Sequence, residues 1–402
     1  ITYDGYGCDS ALSGTYTLGG PTANFPTVRY MKERFYRCGF GGPVTININP
    51  GTYTGFDFDD QYPGLDSNNT ITFQAAPGVN RSAVIIANNG NNPPVKFTEM
   101  AYVTIRNVTI RNTNVGRCVE FVGKYSHDIT IDNCDIQGVT STATPYYNST
   151  AIGRISTAAP FTSGGSGDRD MHFTNNTISG VNFGLYFTGT TNNAYKEDNF
   201  EVNGNTINCT VTGINAIQAK RWTINGNRIN QMATAADMDF KGVALQNCTD
   251  FASISANKIH MNQRGGTGIA TTTYAGSNAS APNMMMANNE IIGKVTVTAR
   301  YNINLQNTKQ VNLYHNSSYM YSPTDITQSA PLYITGSSSS TNNINVYNNI
   351  FYNASTSAEN KNYAIYLNYT TANALATTIK LDYNEYYSVG TSLGWFVAPR
   401  NN

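Results

Sequence analysis

The sequence is short of charge. Of its 402 residues, 12% are Asp, Glu, Lys or Arg, about half the share in an ordinary soluble domain. The 25 basic and 25 acidic side chains cancel to a formal net charge of +0. No basic excess is left to neutralise phosphates, which argues against a nucleic-acid-binding protein. No acidic or basic tail is present. No apolar run approaches the roughly 18 residues a membrane helix needs. Disorder is excluded from the other side. It accompanies high net charge and few aromatics, whereas 11% of these residues are Phe, Trp or Tyr, including 27 Tyr. The 6 cysteines contain no Cys-x-x-Cys pair, which disfavours zinc ribbons and thioredoxin-like sites. The chain begins at Ile1 without a charged-then-apolar leader and reads as a mature or excised piece.

Uncharged polarity replaces the missing charge. The chain holds 53 Asn and 35 Gly, with abundant Thr and Ser. These are poor helix formers, so a large core must be built with few helices. An Asn- and Tyr-rich, charge-poor surface fits a secreted or cell-surface protein. Cys8 and Cys38 flank the first segment and are candidates for a disulfide. The alternative is that all six cysteines are small buried residues.

A short pattern recurs along most of the chain: apolar-x-apolar-x-x-Asn-x-apolar. It reads VTIRNVTI (103–110), ITIDNCDI (129–136), MHFTNNTI (171–178), FEVNGNTI (200–207) and WTINGNRI (222–229). It continues as ASISANKI (252–259), MMMANNEI (284–291), VNLYHNSS (311–318), INVYNNIF (344–351) and IKLDYNEY (379–386). Successive units are 22 to 42 residues apart. A floor near 22 with variable excess implies a fixed coil with loops inserted at its corners.

Within a unit the apolar residues alternate, as a strand with one buried face requires. The Asn-x break shifts the phase and turns a corner. Asn tolerates the left-handed conformation such a corner needs, and stacked Asn amides can form ladders. An all-β, right-handed parallel β-helix satisfies this pattern, with stacked apolar positions forming one continuous core. A propeller needs longer, more regular blades. An antiparallel sandwich needs Asn-Gly turns between strands, yet here Asn203-Gly204 and Asn225-Gly226 fall inside the repeat. Residues 24–40 differ: Phe25, Val28, Met31 and Phe35 recur at helical spacing. This helix is expected to cap the solenoid end and block edge pairing. The expected organisation is a lead-in and capping helix over 1–42, then a single β-helix domain over 43–402 of roughly 11–13 coils.

The stretches GTYTLGG (14–20), NFPTVRYMKERFYRCGFGGPVTININPGTY (24–53) and NTITFQAAPGVN (69–80) resemble a known pattern. It is that of the right-handed parallel β-helix regions in large secreted and cell-surface proteins of the Bacteroidetes. The motif match covers roughly residues 14–136, and the coil pattern extends it to about 386. The resemblance implies a pectate-lyase-like solenoid, an adhesin-like or gliding-associated setting and export by the type IX secretion system. No C-terminal sorting domain is visible in this sequence.

Four clusters carry candidate chemistry. Asp57, Asp59 and Asp60 form the densest acidic group (GFDFDD), with oxygen ligands of the kind that hold Ca²⁺. A solvated strand edge is the plainer reading. Asp237, Asp239 and Lys241 alternate (DMDFK) and share one strand face. That is the geometry of a lyase site, with carboxylates for metal and a lysine base, or of an exposed ion pair. The longest insertion (137–170) holds Tyr146, Tyr147, Arg154, Asp168 and Asp170, with His172 just beyond it. Long loops carry function more often than scaffold does, so these six are candidate ligand-binding residues. Lys196, Glu197 and Asp198 read as a charged loop. The four His fall in different coils, which argues against a histidine metal site, and no cofactor other than calcium is expected.

Late-coil tyrosines either stack on sugar rings or pack laterally between coils. Two functions therefore compete. One is a non-catalytic structural or adhesive module whose partner is a polysaccharide, a surface polymer, or neighbouring copies and domains, including filaments. The other is a polysaccharide lyase or glycoside hydrolase working in a groove along the β-helix. Ice binding by Thr rows fits poorly with the variable coil lengths.

Overall fold

A computed structural model of the chain describes residues 8, 10–59, 61–123, 125–144, 146–154, 167–190, 196–233, 239–262, 266–273, 284–295, 300–322, 326–336, 343–356, 361–369, 379–389 and 393–397. The alternating apolar residues form strands, and each strand pairs with the equivalent strand one coil later. The strands assemble into a 14-stranded and a 22-stranded sheet, and their ladders are parallel.

Three faces result. The first face stacks Leu12–Leu18, Phe40–Ile48, Ile71–Ala75, Ala101–Arg106, His127–Asp132, Arg169–Thr174, Glu197–Asn203 and their successors to Ile379–Asp382. The second begins with Gly51–Tyr53, Val84–Ala87 and Thr109–Arg111, and the third with Phe56–Asp59, Val95–Thr98 and Arg117–Val122. Strands Thr177–Thr188 and Thr206–Ile217 run unbroken through the second and third faces, which joins those two faces into one sheet. Because pairing is between coils, loops of any length can leave at the corners without disturbing register.

The repeat has a position-by-position meaning. Its first and third residues point inward and stack, as Val103, Ile129, Met171 and Phe200 do. The sequence pattern assigns the left-handed corner to the repeated Asn. The structure places it one residue earlier, at Asn107, Asn133, Asn175, Gly204, Gly226, Ala256, Asn288, His315, Asn348 and Tyr383, all with positive φ. The repeated Asn that follows points inward. Asn176, Asn205, Asn227, Asn257, Asn289, Asn316, Asn349 and Asn384 form a continuous amide ladder. In one rung, the Asn227 backbone N–H donates to Asn257 Oδ1 at 3.0 Å, and its Nδ2 donates to the same oxygen at 2.9 Å and to Val202 O at 2.7 Å. The ladder starts at Cys134, whose N–H donates to Asn176 Oδ1. Cys134 and Val108 hold the Asn position in the coils before it.

The corner at Ala256 (φ 54°) is the least suited of these to its residue. A left-handed Cβ costs about 1–2 kcal/mol, while glycine's extra unfolded freedom costs about 0.5–1 kcal/mol. Ala256→Gly is therefore expected to raise the thermal midpoint slightly. A lowered midpoint would show that the corner is not strained.

The helix forms over Val28–Cys38. Thr27 caps it, its Oγ1 accepting from the Tyr30 N–H at 3.1 Å. Val28, Met31 and Phe35 are buried, and Phe35 sits among Phe25, Phe40, Tyr62 and Phe73. The chain leaves at Gly39 (φ 63°), where a Cβ would come within 2.8 Å of Pro63 O. Cys8 and Cys38 form a disulfide with Cα atoms 5.3 Å apart, while the other four cysteines are free and buried. Strand Leu12–Leu18, ahead of the helix, is already a rung of the first face.

Candidate functional site

Parallel register turns the outward residues of the first face into columns. The repeat's second position reads Thr104, Thr130, His172, Glu201, Thr223 and Ser253 along the stack. Its fourth position reads Arg106, Asp132, Thr174, Asn203, Asn225 and Ser255. The column one residue before the repeat runs Tyr102, Asp128, Asp170, Asn199, Arg221 and Phe251. Its first five members all have positive φ. Seven ionisable groups, Arg106, Asp128, Asp132, Asp170, His172, Glu201 and Arg221, stand in these columns on the middle coils of the face.

Hydrogen bonds knit the patch across coils. His172 Nδ1 lies 3.1 Å from Glu201 Oε2. Asn199 Nδ2 donates to Asp170 Oδ1 at 2.6 Å. Asp132 Oδ1 accepts from Thr174 Oγ1 at 2.7 Å and from Asn175 Nδ2 at 2.9 Å. Arg221 holds Asp198 through Nε and Nη2 at 2.7 and 2.5 Å, and Lys220 Nζ reaches the same carboxylate at 3.3 Å. Tyr102 packs edge-on against His127, and Phe251 at the far side is half exposed. Strands lie about 4.8 Å apart, so the span from Tyr102 to Phe251 is about 24 Å. At the corner beyond Gln74, the segment Ala75–Arg81 stands beside Asn107 and Asn133 and walls an open cleft of about 540 Å³. Polar rows with a side wall suit an elongated, hydroxyl-rich ligand.

The chain shares this architecture with solved structures. It matches a Dettilon tailspike protein with a TM-score of 0.53 at 11% identity, over 90% of this chain and 65% of that one. It matches the GH136 lacto-N-biosidase from Eubacterium ramulus with a TM-score of 0.55 at 11% identity, over 95% of this chain and 68% of that one. The fold is a right-handed parallel β-helix. At such identity the likeness concerns the fold alone, and the chain spans less than two thirds of the tailspike's length. No family model and no curated protein matches the sequence.

The β-helix splits the residues that lie close together at 154–172. Asp170 and His172 stand on the first face. Arg154 and Asp168 turn inward, 4% and 0% exposed. Arg154 stands in register with the buried Phe187 of the next coil. Its guanidinium grips both oxygens of Asp168 and also reaches Gly123 O. Glu197, another fully buried carboxyl, accepts the Asp168 N–H at 2.9 Å through Oε2, while Oε1 lies 3.9 Å from Arg154 Nε. Burial, then the Asp168 charge, pushes the Glu197 carboxyl well above its usual range. Burial also raises Asp168, opposed by the paired Arg154. A cluster so enclosed anchors strands and offers nothing to a ligand.

The remaining candidates lie apart. Tyr147 packs on Tyr186 of the third face, and neighbouring Tyr146 shares its short 3₁₀ turn. Asp239 meets Arg300 at 3.3 Å, Lys241 lies between Thr212 and Thr267 on the third face, and Asp237 is outside the described residues. Asp57 and Asp59 alternate outward with buried Phe56 and Phe58, and each meets an ammonium group: Lys32 at 3.0 Å and Lys96 at 3.1 Å. Asp60 is outside the described residues. Among the described residues no three His, Cys, Asp or Glu gather to hold a metal ion, and no helix is long and apolar enough to cross a membrane.

The late tyrosines use their ring faces on each other. Tyr352 and Tyr387 stack at 4.1 Å and 10°, and Tyr301 and Tyr333 at 4.1 Å and 12°. Each stacked pair covers ring faces that a sugar would otherwise meet.

Glu201, Asp132, Asn199 and Arg221 escaped the sequence reading. Their signal was present nonetheless. Aligning the repeat units by column places Glu201 beside His172, and Asp132 two residues over, although they are 29 and 40 residues from it in sequence.

Proposed function

We propose that the protein is an extracellular, adhesin-like β-helix that binds a glycan chain along the outward side of its first face. The carrying observation is the concentration of polar and ionisable side chains in three registered columns there, between Tyr102 and Phe251. Carboxylates, amides and an imidazole repeated at strand spacing offer hydrogen-bond partners to successive sugar hydroxyls, and the aromatic residues flank them. The N-terminal resemblance to Bacteroidetes surface proteins supports export by the type IX route. Low charge and a rigid stack suit a module that presents a surface.

The test is glycan-array screening followed by calorimetry on hits. Asp132→Ala and Glu201→Ala are each expected to weaken binding at least about tenfold, since hydrogen bonds to charged groups contribute about 1.5–3 kcal/mol. Unchanged affinity in both variants would move the ligand elsewhere.

The contact between His172 and Glu201, with Asp132 and Asp170 on adjoining positions, favours one second reading: glycoside cleavage by paired acid–base groups. Release of reducing ends or unsaturated products, abolished by Glu201→Gln, would establish it. Binding without product on the same ligands leaves the adhesive reading.

A further inference from the structure

We infer that Tyr352 and Tyr387 form an oxidative cross-linking site, at which a haem peroxidase with hydrogen peroxide joins the two rings into a dityrosine that ties neighbouring coils together. The site is independent of glycan binding on the first face. Parallel register builds it. Ile292, Tyr319, Tyr352 and Tyr387 occupy one outward column of the second face. Strands lie about 4.8 Å apart, so successive tyrosines set equivalent ring atoms one above another. Tyr319 and Tyr352 lie 5.2 Å apart with planes at 31°. Tyr352 and Tyr387 close to 4.1 Å and 10°, which brings ring carbons of one near van der Waals contact with those of the other.

Each phenol gives up one electron and its hydroxyl proton and becomes a phenoxyl radical, with unpaired spin on the carbons ortho to oxygen. A carbon–carbon bond forms between one ortho carbon of each ring. The hydrogen on each of those carbons then returns to oxygen, and both phenols are restored. The pair loses two electrons and two protons, which one hydrogen peroxide takes up to leave two waters. Coupling needs two radicals side by side, so a pair held in contact reacts ahead of isolated rings. The Tyr352 and Tyr387 hydroxyls share a hydrogen bond, and Tyr387 is 41% exposed, so the leaving protons reach water. The equally close stack of Tyr301 and Tyr333 is less able to react. Burial pushes the Tyr301 phenol up, and its oxygen accepts from Gln328 Nε2 at 3.1 Å. The Tyr333 oxygen accepts from Asn368 Nδ2 at 3.1 Å. Tyr383 is 78% exposed but stacks on no ring among the described residues.

The experiment treats dilute intact protein with haem peroxidase and one equivalent of hydrogen peroxide. The monomer is isolated by gel filtration, and its dityrosine fluorescence, intact mass and tryptic map are measured. The expected product is a monomer two hydrogens lighter, with peptide 310–361 joined to peptide 381–400. Tyr352→Phe is expected to cut the yield at least about fivefold, since Tyr387 then has no described phenol within stacking distance. Tyr383→Phe is expected to leave it unchanged, although Tyr383 lies in the same peptide as Tyr387. Any of three outcomes overturns the inference. The first is dityrosine confined to covalent dimers, or none at all. The second is a main cross-link that joins other peptides, such as 301–309 with 310–361. The third is a yield that survives Tyr352→Phe or is lost in Tyr383→Phe.

Discussion

Arg154→Ala is expected to lower stability by about 3–5 kcal/mol, the cost of leaving a buried charge without its partner. Arg154 stands where the next coil places Phe187. Removing it leaves the Asp168 carboxylate inside the core, met among the described residues by the Ser126 N–H at 3.1 Å and beside a second buried carboxyl. Urea unfolding measures the loss. The companion variant Arg154→Met/Asp168→Leu removes both charges and should recover most of it, because apolar replacement of a whole buried pair is often neutral. Equal losses in the two variants would show that packing, not charge, is at stake.

The same cluster sets a pH dependence. Glu197 has a folded pKa raised above its unfolded value of about 4.3. A carboxyl shifted upward binds its proton more tightly when folded, so its contribution is fully present below the unfolded value. It is lost as pH rises through the folded one. Glu99, His127, Arg154 and Asp168 are the other ionisable groups around it. Wild-type stability is expected to decline on the alkaline side, and Glu197→Gln, which keeps the shape and cannot ionise, should flatten that decline. An unchanged profile in Glu197→Gln would place the titration elsewhere.

Asn257→Ala is the other large effect. Asn257 accepts from the Asn227 N–H and side-chain amide, and it donates to Ile224 O and Asn289 Oδ1. Alanine leaves several of these groups buried and unpaired, each at about 1–3 kcal/mol, so a loss of at least about 3 kcal/mol is expected. Exposed Asn225, one coil earlier and two residues before the ladder, is the control. Asn225→Ala should stay within about 0.5 kcal/mol. Because a solenoid is held by nearest-neighbour coils, the Asn257 variant should also split the unfolding transition. Matching melting curves for the two variants would show that the ladder contributes no stability.

Much of the fold was legible. The alternation in VTIRNVTI and its repeats is a strand signal that tertiary contacts do not override, since every coil buries the same face. The helix was legible because Val28, Met31 and Phe35 fall on one stripe. The corner was misplaced by one residue, because in MHFTNNTI the two adjacent Asn look alike. Only packing shows that Asn175 takes the left-handed turn while Asn176 enters the ladder.

The sequence by itself determined the solenoid, its apolar stack and its shortage of charge, because each follows from periodicity within a single coil. Tertiary structure decided what the few charges do. Asp168 and Asp170 differ by two residues, yet one closes a buried cluster and the other faces solvent, because the chain passes from corner to strand between them. His172 meets Glu201, and Arg154 meets Glu197, across loops whose lengths carry no register of their own. Parallel pairing between coils supplies that register, and it exists only once the coils are stacked.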